Sequence, residues 1–149
     1  MQQQVEKDLK TAMLAGDKPK AETLRGLKNA LQYEAVALQL KLEDLNDEQI
    51  QKVFAREAKK RQEAADLYQK GGRADRAQAE LAEKAVIDAY LPEQMDEEQI
   101  KQAVQTEITK LGSPTMADMG KIIGAVKSQL GTSADGATIA RIVKEKLSP

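Results

Sequence analysis

The sequence contains no cysteine and no histidine. Without cysteine, the chain has no disulfide, no thiolate nucleophile and no thiolate metal ligand. Without histidine, it lacks the commonest general acid or base at neutral pH and the commonest metal ligand. These absences exclude any catalytic dyad built on either side chain, and the residues predict no metal site and no cofactor.

Aromatic residues are also scarce, at 3% of the chain, and all four of them precede residue 92. The later part of the chain therefore has no platform on which unpaired bases could stack. No uncharged apolar run approaches the roughly 18 residues that suggest a membrane span. The first ten residues, MQQQVEKDLK, are too polar for a signal peptide. We therefore expect a cytoplasmic protein that does not contact membranes.

Charged residues make up 32% of the 149 residues, and their net charge is -1. Alanine, leucine, lysine, glutamate and glutamine are prominent, as is typical of helical proteins. The balanced charge argues against a strong, free-standing polyanion binder. The length is sufficient for one average domain or two small ones.

Apolar residues recur at helical spacing throughout, and start and stop signals divide the pattern into seven helices. The first helix is predicted to carry Val5, Leu9 and Met13 on its apolar side. The second helix is predicted to carry leucines as far as Leu38 and Leu42. The predicted N-caps of the later helices are Asp17, Asn46, Asp96, Ser113 and Asp135. Two of these caps have a glutamine three residues later and therefore predict capping boxes, while Pro114 is predicted at the first helical position of the sixth helix.

The clearest boundary lies at residues 91–95, LPEQM, where a proline coincides with a new helix start. We therefore predict an all-α protein made of two helical bundles. The first bundle has four helices and covers residues 1–92, and the second is a three-helix tail domain covering residues 93–149.

The predicted sixth helix contains two glycines four residues apart, Gly120 and Gly124, although glycine is a poor helix former. At 3.6 residues per turn, an apolar stripe forms the predicted core side, composed of Met116, Met119, Ile123, Val126 and Leu130. A second stripe of small residues consists of Ala117, Gly120, Gly124 and Ser128, with Lys121 and Lys127 at its two edges. Such a stripe permits either tight packing against another helix or close approach of a phosphate–sugar backbone. Spacing alone favours tight packing.

Three segments carry a resemblance to a known family. Residues 61–95, RQEAADLYQKGGRADRAQAELAEKAVIDAYLPEQM, place a glycine-rich turn before a helix that ends in Tyr-Leu-Pro, and DEEQI follows. The tail contains DMGKIIG at residues 118–124 and ADG at residues 134–136. In this order the segments resemble the GatB/YqeY family over nearly the whole chain. The tail is similar to the domain appended to the B subunit of tRNA-dependent amidotransferases, which is also fused to some glutaminyl-tRNA synthetases.

The resemblance implies two helical bundles and an association with tRNA. The partners it implies are tRNA and an amidotransferase or aminoacyl-tRNA synthetase. Because the tail offers only about two to five phosphate contacts, we expect the chain alone to bind tRNA weakly. Relatives commonly carry a lysine or arginine just before the Ala-Asp-Gly turn, whereas this chain reads SQLGTSADG, so other cations of the tail must supply phosphate contacts. The candidate RNA- or partner-binding residues are Gly120, Lys121, Gly124, Lys127, Asp135, Gly136, Arg141 and Lys144.

Two alternative functions stay open. The first is a protein-interaction module for an amidotransferase or aminoacyl-tRNA synthetase, without direct RNA contact. A secondary basic face on the third helix, formed by Lys52, Arg56, Lys59 and Lys60, could meet an acidic partner, although such a run is more often solvated surface. The second is the carbon–nitrogen ligase activity, with glutamine as amide donor, that the family association suggests. That chemistry needs an activated nucleophile and an oxyanion site. We assign no catalytic residue, and we expect a monomer that is not an enzyme by itself.

Overall fold

The structure, a computed structural model, describes residues 1–148. Over these residues it contains seven α-helices and no strand, so the predicted all-α fold class is confirmed. The helices are α1 (Gln2–Leu14), α2 (Lys18–Ala37), α3 (Asp47–Lys70), α4 (Ala74–Asp88), α5 (Glu97–Leu111), α6 (Met119–Leu130) and α7 (Gly136–Leu147). Three short 3₁₀ turns connect them, at Leu42–Asp44, Met116–Asp118 and Gly131–Ser133.

The chain divides into two compact units, Met1–Leu91 and Pro92–Pro149. The first unit contains α1 to α4, and the second contains α5 to α7. Each unit has its own hydrophobic core, and the two cores have no buried residue in common.

The first core is built mainly from apolar stripes on α2 and α3. On α2, Leu24, Leu27 and Leu31 recur every three or four residues, so they lie on one face and are buried together. On α3, Val53 and Phe54 are buried against them in the same cluster. Burial of an aromatic side chain of this size contributes about 1.5–3 kcal/mol.

Tyr90 ties the segment after α4 to this core. Its ring packs edge to face against Phe54, with the ring centroids 5.8 Å apart. Its hydroxyl donates a hydrogen bond to the Asp8 carboxylate on α1. The pKa of Tyr90 is raised mainly by burial and further by this contact with the Asp8 carboxylate. The same hydrogen bond lowers the pKa of Asp8, more than offsetting the effect of burial.

The two predicted capping boxes are confirmed. Asn46 accepts a hydrogen bond from the backbone N–H of Gln49 at 2.8 Å, and the Gln49 side chain accepts from the Asn46 N–H at 2.9 Å. Asp96 and Gln99 repeat the exchange at 2.8 Å and 3.0 Å. Each box satisfies two backbone donors that have no partner within the helix.

The second core lies between α5, α6 and α7. Its buried members from the three helices are Ile100, Val104, Ile122, Val126, Ile139, Ile142 and Val143. Two hydrogen bonds connect the segment before α5 to the turn before α7. The Met95 N–H donates to the Ser133 carbonyl at 2.8 Å, and the Gln94 amide donates to the Thr132 carbonyl at 2.8 Å.

The predicted start of the sixth helix was wrong. Ser113 is not its cap, and Pro114 does not occupy its first position. Thr115 instead caps the 3₁₀ turn at Met116–Asp118 by accepting from the Ala117 N–H at 3.3 Å, and the Asp118 carboxylate accepts from the Thr115 N–H at 2.8 Å. This reciprocal pair begins two residues after Ser113, so α6 itself starts only at Met119.

Several predicted apolar positions are also corrected. Met13 is 55% exposed, and Ala12 is buried in its place on α1. The second helix ends at Ala37, because Gln39 adopts a left-handed conformation with φ 57°, so Leu38 and Leu42 lie beyond the helix. In α6 the buried residues are Ile122 and Val126. Ile123, which was predicted to lie in the core stripe, is only partly buried.

Candidate nucleic-acid interface

The exposed side of α6 carries the small residues. At 3.6 residues per turn, Gly120, Gly124 and Ser128 lie opposite the buried pair Ile122 and Val126. Ala117 precedes the helix on the same side, and all four small residues are exposed. We call this surface, formed by Ala117, Gly120, Gly124 and Ser128, the small face.

Among residues 1–148, no group outside the α6 backbone covers the two glycines of the small face. A β-carbon built on Gly120 or Gly124 would meet no heavy atom of these residues within 4 Å, apart from the backbone of its own helix. The expectation that this stripe packs tightly against another helix was therefore wrong. The helix backbone along the small face is open to solvent, and no side chain larger than a hydroxymethyl group stands on it.

Two lysines flank the small face. Helical periodicity places Lys121 on one edge and Lys127 on the other, and both are exposed. Within residues 1–148, Lys121 takes part in no ion pair. Lys127 lies in the last turn of α6, where a cation complements the negative end of the helix dipole.

The Ala-Asp-Gly turn leads directly into α7. Asp135 is the N-cap, and its carboxylate accepts from both the N–H and the hydroxyl of Thr138 at 3.2 Å. Ala134 is buried, which anchors the turn in the core of the second unit. Gly136 opens the helix, and the end of the Lys127 side chain lies directly over it. The structure therefore brings the glycine helix and the Ala-Asp-Gly turn together.

Arg141 and Lys144 on α7 differ in their surroundings. Arg141 forms ion pairs with Glu97 on α5 and, at 3.0 Å, with Glu145. Its hydrogen bond lowers the pKa of Glu97, and the same contact raises the pKa of Arg141. Lys144 is exposed and takes part in no ion pair within the described residues. Arg141 is thus already neutralised, whereas Lys144 remains available to an anion.

The cations of the possible secondary basic face belong to α3 in the first unit, and they have carboxylate partners. Lys52 pairs with Glu48 at 3.0 Å, Arg56 with Glu34 at 2.6 Å and Lys60 with Glu57 at 3.0 Å.

Glu57 in this network also accepts from Arg61. Burial raises the pKa of Glu57, but hydrogen bonds from Lys60 and Arg61 outweigh it, so the pKa lies below its ordinary value. Lys59, the remaining member of the face, also has an interaction partner. The surface is consequently an ion-pair network rather than a row of uncompensated cations.

Sequence reasoning did not identify two features of the site. The Arg141–Glu97 contact joins residues 44 positions apart, and no local spacing rule relates charges at that separation. The contact between Lys127 and Gly136 joins two helices. Its only sequence signal was the glycine that directly follows the predicted N-cap Asp135.

A family model described as "Yqey-like protein" matches residues 2–147 of the chain. The comparison with curated proteins gave no match. Every helix within residues 1–148 is too short or too polar to cross a membrane.

Proposed function

The chain belongs to the family of Yqey-like proteins, and from the exposed small face of α6 we propose that it is an accessory RNA-binding module that docks on tRNA. The observation that carries the proposal is the open space above Gly120 and Gly124. A bulky, rigid ligand can approach the helix main chain there without displacing a side chain. The choice of tRNA rests on the similarity of the tail to the domain of the amidotransferase B subunit.

The chemistry of the small face favours recognition of backbone and shape. Lys121 and Lys127 at its edges can contact phosphates, which supply affinity without reading base sequence. The second unit contains no aromatic residue, so it offers no stacking surface for unpaired bases. Double-stranded RNA is recognised mainly through shape, 2′-hydroxyls and phosphates, which matches this set of groups.

Affinity for tRNA alone is expected to be modest. Arg141 is paired with carboxylates, which leaves Lys121, Lys127 and Lys144 as the principal phosphate contacts. Such a small number corresponds to a dissociation constant of about micromolar or weaker. We therefore propose that an amidotransferase or aminoacyl-tRNA synthetase acts as partner and supplies the remaining affinity.

A gel shift with folded tRNA at low salt tests the proposal. We expect a shift with the wild-type chain, and at least about tenfold weaker binding after the double charge reversal Lys121→Glu with Lys127→Glu, because two phosphate contacts become repulsions. The matched control is Lys52→Glu on α3, a lysine whose side chain is 66% exposed. It should bind as the wild type does.

Three outcomes would contradict the proposal. Absence of a tRNA complex at low salt, both with and without a partner enzyme, would reject RNA binding itself. An equal loss of affinity in Lys52→Glu would move the binding surface to the first unit. Equal affinity for an unstructured RNA of the same length would reject recognition by shape.

A further inference from the structure

The side chain of Lys127 occupies the space that a side chain at Gly136 would need. Its Cε lies 2.9 Å, and its Nζ 3.2 Å, from the position of a β-carbon built on Gly136. Carbon atoms in ordinary contact are about 3.5–4.0 Å apart. Any residue other than glycine at position 136 would therefore push the end of Lys127 away from the start of α7.

The backbone does not explain this glycine. Among the described residues, the glycines with positive φ are Gly16, Gly72, Gly112 and Gly131, and Gly136 is not one of them. Position 136 is the first residue of α7, where alanine or other helix formers fit without backbone strain. Overlap with the end of the Lys127 side chain is therefore the steric effect that a side chain at position 136 would have among the described residues.

The location of the ammonium group has an electrostatic consequence. Lys127 belongs to the last turn of α6, and its Nζ reaches the first residue of α7. The positive end of the α7 dipole disfavours a cation at that place, although the Asp135 carboxylate at the N-cap compensates in part. A phosphate that lies along the small face beside Lys127 would relieve this repulsion.

We propose that Gly136 is a positioning residue for RNA binding, because its missing side chain leaves the space in which Lys127 lies against the start of α7, with its ammonium at the edge of the small face. This inference rests on the proposed function. It assigns the glycine of the Ala-Asp-Gly turn to the same surface as the glycine helix, without direct contact between Gly136 and the ligand.

A double-mutant cycle with folded tRNA tests the proposal. Gly136→Ala should weaken binding about threefold to tenfold and lower the dependence of affinity on salt, because one phosphate contact is misplaced. Lys127→Gln should have a similar effect. Gly136→Ala should cause no further loss in the Lys127→Gln background, because the lysine through which it acts is absent.

Gly26→Ala is the matched control. A β-carbon at Gly26 would lie 3.8 Å from Nη2 of Arg61, which is ordinary contact, and the residue belongs to α2 in the first unit. This substitution should leave tRNA affinity unchanged. Thermal unfolding of each variant should remain cooperative, so that a loss of affinity reflects the site rather than the fold.

A measurement without RNA separates this inference from the proposed function. The side-chain NMR signals of Lys127 in the free, full-length protein should shift in Gly136→Ala and not in Gly26→Ala. If the wild type binds no tRNA, the proposed function fails, and these signals still report whether Gly136 positions Lys127. Unchanged Lys127 signals overturn the positioning. The role in binding is overturned if Gly136→Ala weakens tRNA binding as much in the Lys127→Gln background as in the wild type. It is also overturned if Gly136→Ala shifts the Lys127 signals but leaves tRNA affinity unchanged.

Discussion

Gly112 and Gly131 end α5 and α6 with φ angles of 82° and 56°, a region that glycine enters with little strain. Gly124 has no such backbone requirement, and the space beside it is empty. Gly136 has no such requirement either, but the space beside it is filled by Lys127. The glycines of the second unit thus differ in their surroundings. Only at Gly112 and Gly131 does the backbone conformation itself favour glycine.

The open space at Gly124 leads to a stability prediction. Gly124→Ala should raise the free energy of unfolding by about 0.5–1 kcal/mol, because alanine is the better helix former and the new methyl group meets no atom of residues 1–148 within 4 Å outside its own helix backbone. Urea unfolding followed by circular dichroism measures the change. A loss of stability would mean that another group covers the small face.

The hydrogen bond from Tyr90 to Asp8 gives a second prediction. Tyr90→Phe removes this bond while keeping the ring contact with Phe54. We expect a loss of about 0.5–1 kcal/mol at pH 7, at the lower end for a bond to a charged group because the pair is partly solvated. Chemical unfolding at several pH values measures it.

The pH dependence of that effect follows from Asp8. Its pKa is lowered in the folded protein from an ordinary value of 3.8. The stabilisation is therefore complete above that unfolded value and is lost as the pH falls through the folded value. The difference between wild type and Tyr90→Phe should shrink below about pH 4. A difference that stays constant to lower pH would contradict the role of the Asp8 carboxylate.

At the scale of the element, helix starts depend on which side chain reaches the free backbone N–H groups. Asn46 and Asp96 reach them in the predicted way, with glutamines three residues later. Before α6, the sequence predicted Ser113 as the cap with Pro114 at the first helical position, but Thr115 and Asp118 form the capping pair instead. The 3₁₀ turn delays the start of α6 to Met119. Packing against α5 and α7 buries Ile122 and Val126 more fully than Ile123.

This assignment predicts different effects for two nearby substitutions. Thr115→Ala should lower the free energy of unfolding by about 1 kcal/mol, because the Ala117 N–H loses its acceptor. Ser113→Ala should change it by less than about 0.5 kcal/mol. Thermal or urea unfolding of both variants compares them directly. A larger loss of stability in Ser113→Ala than in Thr115→Ala would indicate that Ser113 is the cap after all.

At the scale of the whole molecule, the two hydrophobic cores are separate clusters. Ile139 is fully buried in the second core, so Ile139→Ala should cost about 2–5 kcal/mol through lost contacts and the cavity left behind. Hydrogen exchange should show faster exchange for amides of α5 to α7. Protection of the α2 and α3 amides should not change.

The control for this prediction is the corresponding large-to-small substitution in the first core. Phe54→Ala should weaken protection in α1 to α4 and leave α7 protected, because Phe54 belongs to the first cluster. Loss of protection throughout the chain in either variant would show that the two units unfold together.

Much of the fold was predictable because its signals are short-range. Capping residues act within three positions, and buried leucines on α2 recur at the helical period, so both can be read along the sequence. The errors at Met13, Leu38 and Leu42 occurred where the chain ends a helix or where a small neighbour such as Ala12 faces the core instead. Apolar character alone does not say which of two adjacent residues a neighbouring helix will cover.

Local sequence patterns were enough to predict the all-α class, most helix starts and the small face, because these depend on interactions within one or two helical turns. The folded arrangement was needed to show that Gly120 and Gly124 are exposed, that Glu97 neutralises Arg141, and that Lys127 lies over Gly136. Each of these facts depends on which side of one helix another helix covers. Packing of α5, α6 and α7 around their shared core sets that arrangement, and it joins residues far apart in the chain.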